Sequence, residues 1–457
     1  HVGSSLVAIY AKYGSLKDAR NVFDSLPAQS TVTWGALISG YVLHHHGREA
    51  LHAFRQMLGH GIPPDNITLV NMLKASVDIK DAKQSKVFHS YINEWSFDSN
   101  LMVANALVDM YSSYGSIKSA RKIFDTMLKH DVVTWASMIG GYTQQGLGEE
   151  ALLLYQQMQH EGTEPNSVTF VFLINVCSNL SLMPSGKLIH NHIVQRDCEE
   201  SEHVGNALVE MYSKSGSIED AYHVFHVLPK RDLVAWNSMI AGFAKYGDYK
   251  HAKLSYEQMT EQGLRPNIIT FISLLSACGL QGLVQEGCAT FNLLMEHPHI
   301  IPESDVYSCM VNILGRAGFL LEAEDLVQTM PYQPNMITWM CLLGQCRMHG
   351  NVEMGGESFE HVVVNADGDY RHASGYALMV DMYARAGMQR DQEGMQHLRI
   401  SANAWKRPAG ARIMLAGDTH DFIVGDEAHP QRAEIYAELK RLQVRVRKSG
   451  YVCMYEP

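Results

Sequence analysis

The chain has 457 residues, of which 46% are hydrophobic and 19% are charged, and this composition excludes general disorder. The formal net charge of -11 counts against indiscriminate binding to nucleic acid, although a locally basic groove remains compatible with it. No apolar run reaches the roughly 18 residues that span a bilayer, so no membrane partner is expected.

The sequence repeats itself with a long fixed period. Trp34, Trp135 and Trp236 lie 101 residues apart, and recurrent alanines keep the same spacing. Fixed self-similarity indicates a solenoid, in which each repeat packs only on its neighbours. We therefore predict an all-α fold built from helix-turn-helix repeats, in place of the several globular domains that the length alone would suggest.

Each 101-residue unit contains three helical hairpins, of about 35, 35 and 31 residues, with apolar residues at i, i+3, i+4 and i+7. Short hairpins are predicted at 2–30, 101–131, 202–232 and 304–335, and long hairpins fill the gaps. In the second helices a recurrent Ala allows close approach, an aromatic residue follows four positions later, and a Met stripe is interpreted as core packing. These residues are Ala19, Ala50, Ala120, Ala151, Ala221, Ala252 and Ala323; Phe23, Phe54, Phe124, Tyr155, Phe225 and Tyr256; and Met57, Met158 and Met259.

The second helices read E-A-x-x-x-[FY]-x-x-M-x-x-x-G-x-x-P, as in residues 150–165, and short motifs alternate with long ones. In both features the chain resembles the pentatricopeptide repeat family, and it differs from the tetratricopeptide pattern with its single 34-residue period. Alternation of P, L and S motifs is the hallmark of the PLS subfamily of plant organellar editing factors. The resemblance implies a right-handed superhelical α-solenoid, with an array of about ten motifs over residues 1–335.

Beyond residue 335 the period breaks. Residues 339–353 and 374–387 resemble the E extension of that subfamily, which we assign to residues 336–405. Residues 420–426 and 429–452 resemble its E-plus segment, assigned to 406–457, although the family's Pro-Gly box reads Pro408-Ala409-Gly410 here. Residues 431–448 predict an amphipathic helix, with Gly450 as its C-terminal cap. The resemblance implies that a deaminase-bearing protein and other editing factors bind this region.

A row of inner repeat surfaces makes a groove in which one repeat can meet one nucleotide of single-stranded RNA. The resemblance assigns base reading to the fifth and last residues of each motif. An amide such as that of Asn206 can donate to and accept from a Watson-Crick edge, and the last residue selects the partner. The L motifs carry Val70, Val171 and Ile272 in the fifth position and are expected to be blind to sequence. The other pairs are Ser4 with Ser30, Gly35 with Asp65, Asn105 with Asp131, Ala136 with Asn166, Asn206 with Asp232, Asn237 with Asn267, and Ser308 with Asn335.

The family's code relates these pairs to bases. Asn with Asp favours uracil, Asn with Asn favours a pyrimidine with cytosine leading, and Ser with Asn favours adenine. With the RNA 5′ end at the N-terminal repeats and the last S motif four nucleotides before an edited cytidine, the pairs predict A at -4, C or U at -6, U at -7 and U at -10. Gly35 with Asp65 and Ala136 with Asn166 predict only weak purine preferences, at -12 and -9.

Two further sets of residues are implied to contact the RNA. An apolar second residue would wedge between successive bases, and ordinary packing at a helix start is the alternative. The wedge candidates are Val32, Ile67, Val133, Val168, Val234 and Ile269. Basic residues recur at one position of the first helices and suit phosphate contact, whereas a lone helical Lys elsewhere is usually only solvated. The phosphate candidates are Lys12, Lys214, Lys245 and Arg316.

The sequence lacks the motifs of a nucleobase deaminase. Such a domain needs H-x-E and P-C-x-x-C elements around zinc. None of the 23 histidines is followed at the second position by Glu, and the eight cysteines include no C-x-x-C pair, so reduced thiols are expected. We predict that the chain is not an enzyme and holds no cofactor, with zinc only if a deaminase domain follows. His44, His45 and His46 lack spaced partners and are interpreted as a polar loop.

Together these features predict a single-stranded RNA-binding factor of the mitochondrion or chloroplast. It would choose a site for C-to-U editing of a transcript and recruit a deaminase. Two alternatives remain: a helical-repeat scaffold that binds protein in the same groove, and a fragment of a DYW-type cytidine deaminase. The E-plus segment ends where that family would continue into the deaminase domain.

Overall fold

A computed structural model of the chain describes residues 2–97, 99–196, 198, 201–297, 299–364, 372–402 and 404, and the backbone of 410–415 and 418–423. The chain divides into two compact units, His1–Ile301 and Pro302–Pro457. Among the described residues, no helix is both long enough and apolar enough to cross a membrane.

The first unit consists of consecutive helical hairpins. Each odd-numbered helix contacts the next odd-numbered helix from α1 to α17, so the first helices of the hairpins form one continuous row. The helices are α1 (Val2–Lys12), α2 (Leu16–Ser25), α3 (Thr31–Leu43), α4 (Gly47–Gly59), α5 (Asn66–Asp78), α6 (Ala82–Glu94), α7 (Leu101–Ser113), α8 (Ile117–Thr126), α9 (Val132–Gln144), α10 (Gly148–His160), α11 (Ser167–Leu180), α12 (Met183–Gln195), α13 (Glu202–Ser215), α14 (Ile218–Val227), α15 (Leu233–Lys245), α16 (Tyr249–Glu261), α17 (Ile268–Gln281) and α18 (Val284–Met295).

The core of this unit follows the repeat. Each of the three tryptophans meets the ring of a second-helix Phe edge to face, with centroids 4.4 Å apart for Phe23 and Trp34 and 5.0 Å apart for Phe124 and Trp135. Every recurrent alanine is fully buried, and so are the three methionines of the stripe. The predicted packing roles are therefore confirmed, with Tyr256 only half-buried.

The turns between paired helices need left-handed backbone. Gly216 has φ +90°, and a Cβ at this position would lie 2.4 Å from the Tyr246 hydroxyl. A side chain at this position would therefore suffer both backbone strain and a clash.

The second unit continues with helical hairpins. In it α19 contacts α20 and α21, α21 contacts α22 and α23, and α23 contacts α24. The elements are α19 (Ser304–Arg316), α20 (Leu320–Gln328), α21 (Met336–His349), α22 (Val352–Val364), α23 (His372–Arg385), α24 (Gln389–Ser401), β1 (Gly410–Leu415) and β2 (Asp418–Ile423). The strands pair antiparallel, with Gly410 opposite Ile423 and Leu415 opposite Asp418.

The predicted α-solenoid of helix-turn-helix repeats is confirmed by the helical hairpins of each unit. The described residues depart from the all-α expectation only at the β1–β2 hairpin. This hairpin lies within the segment assigned to E-plus. The amphipathic helix expected at 431–448, with its cap Gly450, lies outside the described residues.

Candidate nucleic-acid interface

The last residue of each P or S motif caps the first helix of the next motif. A side-chain oxygen of the cap accepts a hydrogen bond from the backbone N–H three residues later, which satisfies a donor that the helix itself leaves unpaired. The oxygen–nitrogen distances are 3.4 Å for Ser30, 2.8 Å for Asp65, 2.8 Å for Asp131, 2.9 Å for Asn166, 2.9 Å for Asp232, 3.1 Å for Asn267 and 2.9 Å for Asn335. Each cap therefore holds its polar side chain in a fixed place between two adjacent first helices.

Three of the predicted pairs are joined by a direct hydrogen bond. The amide Nδ2 of Asn105 donates to Oδ1 of Asp131 at 3.2 Å, and that of Asn237 donates to Oδ1 of Asn267 at 3.1 Å. Asn206 donates to both carboxylate oxygens of Asp232, at 3.1 Å each. The structure thus brings together residues 26 and 30 positions apart, as the repeat register requires.

A threonine that the sequence analysis missed completes two of these pairs. The hydroxyl of Thr134 lies 2.7 Å from Oδ1 of Asn105 and 2.9 Å from Oδ1 of Asp131. Thr270 lies at 2.7 Å and 3.1 Å from the corresponding oxygens of the Asn237 pair. The signal was available in the sequence, because a Thr stands three residues after most of the capping residues: Thr33, Thr68, Thr134, Thr169, Thr270 and Thr338.

Ser308 is connected to its partner indirectly. Its hydroxyl lies 2.9 Å from the carbonyl oxygen of Ser304 and 2.8 Å from the hydroxyl of Thr338, and the Thr338 hydroxyl lies 3.0 Å from Oδ1 of Asn335. Ser308 is only 6% exposed, and these contacts hold its hydroxyl in one position.

The remaining pairs lack a polar contact. Gly35 is buried, and a Cβ there would lie 3.5 Å from the hydroxyl of Thr68, which donates to Asp65. Ala136 is buried, and its side chain has no polar atom that could bond to the cap Asn166. Ser4 is half-buried on α1, and within the described residues no hydrogen bond joins it to Ser30.

The surroundings of Asp131 lower the pKa of its carboxyl. Burial raises the pKa of the Asp131 carboxyl, but the hydrogen bonds from Thr134 and Asn105 outweigh that effect and hold the pKa below its ordinary value. Asp131 is therefore a carboxylate at neutral pH. It can accept hydrogen bonds but cannot donate them.

The six wedge candidates share one environment. Each follows the capping residue by two positions and leaves half or more of its side chain exposed, although the next two residues of its helix are buried. The exposed fractions are 66% for Val32, 52% for Ile67, 50% for Val133, 51% for Val168, 54% for Val234 and 54% for Ile269.

The phosphate candidates are all exposed, and contacts to neighbouring groups are seen for Lys214 and Lys245. Nζ of Lys214 lies 2.6 Å from Oε1 of Glu210, and Lys245 donates to the backbone carbonyl of Lys214. Lys12 and Arg316 lie at the C-terminal ends of α1 and α19. Any phosphate that meets Lys214 must therefore compete with a carboxylate.

Open depressions run along the row of first helices. One of about 390 Å³ is lined by Asn237 and Asn267 together with the wedge candidates Val234 and Ile269, and also by Lys214 and Lys245. Another of about 610 Å³ is lined by Asn105, Asp131 and Val133. Each depression therefore combines a base-reading pair with at least one wedge candidate.

Two charged residues at the 610 Å³ depression were not predicted. Lys74 and Asp109 line it, and they also line a neighbouring depression of about 690 Å³. Burial raises the pKa of Asp109, and the nearby Lys74 partly offsets the effect. Lys74 adds a positive charge to this part of the row, and it does not lie at the helix position where the predicted phosphate candidates recur.

The three consecutive histidines have separate partners. Nε2 of His44 lies 2.9 Å from the carbonyl oxygen of Ala11, whereas His45 faces Asp78 and His46 faces Glu49. The described residues contain no group of three His, Cys, Asp or Glu side chains that could hold a metal ion.

Comparisons with known proteins agree with this geometry. The PPR repeat family matches residues 29–78, 130–179 and 231–279, and the PPR repeat matches 103–132, 206–233 and 305–332. The pentatricopeptide repeat-containing protein At2g33680 of Arabidopsis thaliana is 35% identical over 435 residues, which cover 95% of this chain and 59% of that protein. The chloroplastic protein CRR2 of the same plant is 33% identical, over 99% of this chain and 69% of its own length. Other relatives are named as mitochondrial, which agrees with the two expected organelles.

The fold also resembles a solved structure. The crystal structure of the pentatricopeptide repeat protein PPR10 in complex with an 18-nt psaJ RNA element superposes with a TM-score of 0.70 at 19% identity. The match covers 88% of this chain and 60% of PPR10. The chain thus spans about three fifths of the length of At2g33680 and of PPR10.

Proposed function

Because this chain belongs to the pentatricopeptide repeat family, we propose that it binds single-stranded RNA in a sequence-specific way, one nucleotide per repeat. The proposal extends to the PLS subfamily: the protein selects a site for C-to-U editing of a transcript in the mitochondrion or chloroplast. Residues 1–335 would form the repeat array. The E extension at 336–405 and the E-plus segment at 406–457 would recruit a deaminase and other editing factors.

The observation that carries the proposal is a regular row of paired features. On six first helices of the first unit a half-exposed apolar side chain lies two positions after the polar capping residue, and in three repeats a capping residue is bonded to a buried asparagine. Apolar groups spaced along a row can stack on the faces of successive bases, and the polar residues between them can bond to base edges. A peptide-binding groove has no need for this recurring combination.

The chemistry of the caps supports selection between pyrimidines. Oδ1 of Asp131 accepts from the backbone N–H of Thr134 and from the Asn105 amide, and Oδ2 can act as an acceptor for a base. Uracil presents an N3–H donor to such an acceptor, whereas cytosine presents a bare N3. In Asn267 the cap also uses Oδ1, so the amide N–H remains as a donor that suits cytosine N3.

Two rival functions require different tests. A protein-binding scaffold would retain partners without regard to RNA sequence. A fragment of a DYW-type cytidine deaminase would share the RNA preferences proposed here, so binding experiments on this chain cannot separate it from an editing factor that acts with a separate deaminase. Zinc analysis of the full-length protein makes that distinction.

Loss of the protein tests the editing role directly. In cells that lack it, sequencing of organellar transcripts should find a cytidine that is no longer converted, four nucleotides downstream of the A in U-x-x-U-Y-x-A. Re-expression should restore the conversion, and re-expression of a variant with Asn105, Asn206 and Asn237 all changed to Val should not. Unchanged editing at every such cytidine would contradict the proposal.

A further inference from the structure

One repeat departs from the hydrogen-bonding arrangement of the other asparagine pairs. After the cap Asp232 the third residue is Ala235, where the equivalent residues are Thr134 and Thr270. Ala235 is completely buried. No hydroxyl is therefore present where the other two pairs have one.

The absent hydroxyl leaves a buried acceptor without a partner. Asn206 is 7% exposed, and its Oδ1 has no hydrogen-bond partner within the described residues. The corresponding oxygen of Asn105 accepts from Thr134 at 2.7 Å, and that of Asn237 accepts from Thr270 at the same distance. A buried acceptor without a donor destabilises the conformation that holds it.

Exchanging the oxygen and nitrogen of the Asn206 amide does not give a better arrangement. Nδ2 of Asn206 donates to both oxygens of Asp232, at 3.1 Å each. Exchanging the amide oxygen and nitrogen would place Oδ1 against a carboxylate, acceptor against acceptor. The orientation with the orphaned oxygen is therefore the better of the two.

Asp232 also accepts its asparagine differently from Asp131. Both oxygens of Asp232 accept from Asn206, and Oδ1 accepts from the N–H of Ala235 as well. In the Asn105 pair the amide donates to Oδ1 of Asp131 alone. A base that approaches Oδ2 of Asp232 must compete with Asn206, whereas the Asn105 amide bonds only to Oδ1 of Asp131.

We propose that the third residue of the following helix is a positioning residue for base reading. Thr134 and Thr270 lock the amides of Asn105 and Asn237, and the repeat closed by Ala235 discriminates less strictly between uracil and cytosine. The inference rests on the proposed function, because it concerns how strictly each repeat reads RNA. It distinguishes two repeats, Asn105 with Asp131 and Asn206 with Asp232, whose base-reading residues are identical.

Substitutions that differ only by a hydroxyl test the inference. Ala235→Thr restores the missing donor, and Ala235→Val has the same shape without it. The reciprocal change is Thr134→Val in the repeat of Asn105. Each chain is titrated with four RNAs that carry U or C at -7 and U or C at -10, and its thermal midpoint is measured without RNA.

The wild-type chain should discriminate U from C more strongly at -10 than at -7. Ala235→Thr should raise the ratio at -7 by about threefold to tenfold, the effect of one added hydrogen bond, and leave the ratio at -10 unchanged. Ala235→Val should leave both ratios as they are, whereas Thr134→Val should lower the ratio at -10. A purely structural role would change the thermal midpoint without changing the ratio at one nucleotide.

The outcomes separate this inference from the proposed function. If the wild-type chain discriminates at both positions and Ala235→Thr raises the thermal midpoint above that of Ala235→Val but not the ratio at -7, the inference is overturned and the proposed function stands. Equal wild-type discrimination at -7 and -10 also overturns the inference, because it means that the hydroxyl is dispensable. A folded wild-type chain without any base preference overturns both.

Discussion

The hairpins that begin with α15 and α11 share a framework and differ in the chemistry of the fifth residue of the motif. Both helices begin at a polar cap, Asp232 or Asn166, and both expose about half of an apolar residue two positions later. On α15 the fifth residue is Asn237, which is bonded to Asn267, whereas on α11 it is Val171, which has no polar atom to offer. Under the proposed function, this comparison would separate two contributions to RNA binding: the apolar surface recurs in both kinds of repeat, and only one kind has a polar fifth residue for hydrogen bonding to base edges.

The largest effect is expected when the asparagine at the fifth position is replaced by valine, the residue that Val171 provides in the other repeat. Asn237→Val should remove the pyrimidine preference at -6 and weaken binding to the matching RNA by about 1–3 kcal/mol, the value of one well-placed polar base contact. Filter binding with all four bases at -6 measures this loss. RNAs altered at -10 are the internal control, since their ranking should stay the same. Persistence of the preference at -6 would show that the base is read elsewhere.

A change of the cap alone should reverse a preference. Asp131→Asn keeps the helix cap but replaces an acceptor with a donor, so the preferred base at -10 should change from U to C, with a change of about tenfold in their affinity ratio. Asp65→Asn is the matched control, because its fifth residue is Gly35 and the preference at -12 should hardly change. A similar change in base preference at -10 and at -12 would mean that the capping residue selects the base without an asparagine at the fifth position of the motif.

The apolar row should contribute to affinity without selecting bases. Val234→Ala removes about two methylene equivalents from a half-exposed surface and should weaken binding to every RNA by about 1 kcal/mol, roughly fivefold. The comparison is Leu128→Ala, since Leu128 is 96% exposed and lies outside the row. Equal losses for the two variants, or a loss confined to one base, would contradict the stacking role.

The smallest effect concerns pH. Hydrogen bonds hold the pKa of Asp131 below its ordinary value, so the contribution of its carboxylate to stability is present above the unfolded pKa and is lost only as the pH falls through the lower, folded value. The ratio of affinities for U and C at -10 should therefore stay constant between pH 8 and pH 5. A ratio that falls within this range would show that Asp131 binds a proton there.

Residue periodicity was sufficient to predict the framework. The 101-residue spacing of Trp34, Trp135 and Trp236 indicated the repeat, and the small and aromatic residues of the second helices indicated which faces pack. These predictions succeeded because packing in a solenoid is local: each hairpin is buried by neighbours that carry the same pattern.

The hydrogen-bonded clusters were harder to predict. Thr134 looks like an ordinary residue of the first turn of α9, and only the fold places it 2.7 Å from an amide 29 residues earlier. Likewise Ala235 reads as a small core residue until its missing hydroxyl is compared with Thr134. The ion pair of Lys214 with Glu210 has a visible four-residue spacing, but its consequence for phosphate contact depends on both side chains facing the row.

The central claim is that each polar pair between adjacent first helices reads one base of the RNA. Selection from a random single-stranded RNA library at about physiological salt tests it most directly, because non-specific phosphate contacts are weakened there. The account predicts enrichment of U-x-x-U-Y-x-A in that order, with no preference at the positions that face Val171 and Ile272. Enrichment of no sequence by a folded chain would contradict the account and favour a protein partner for the groove.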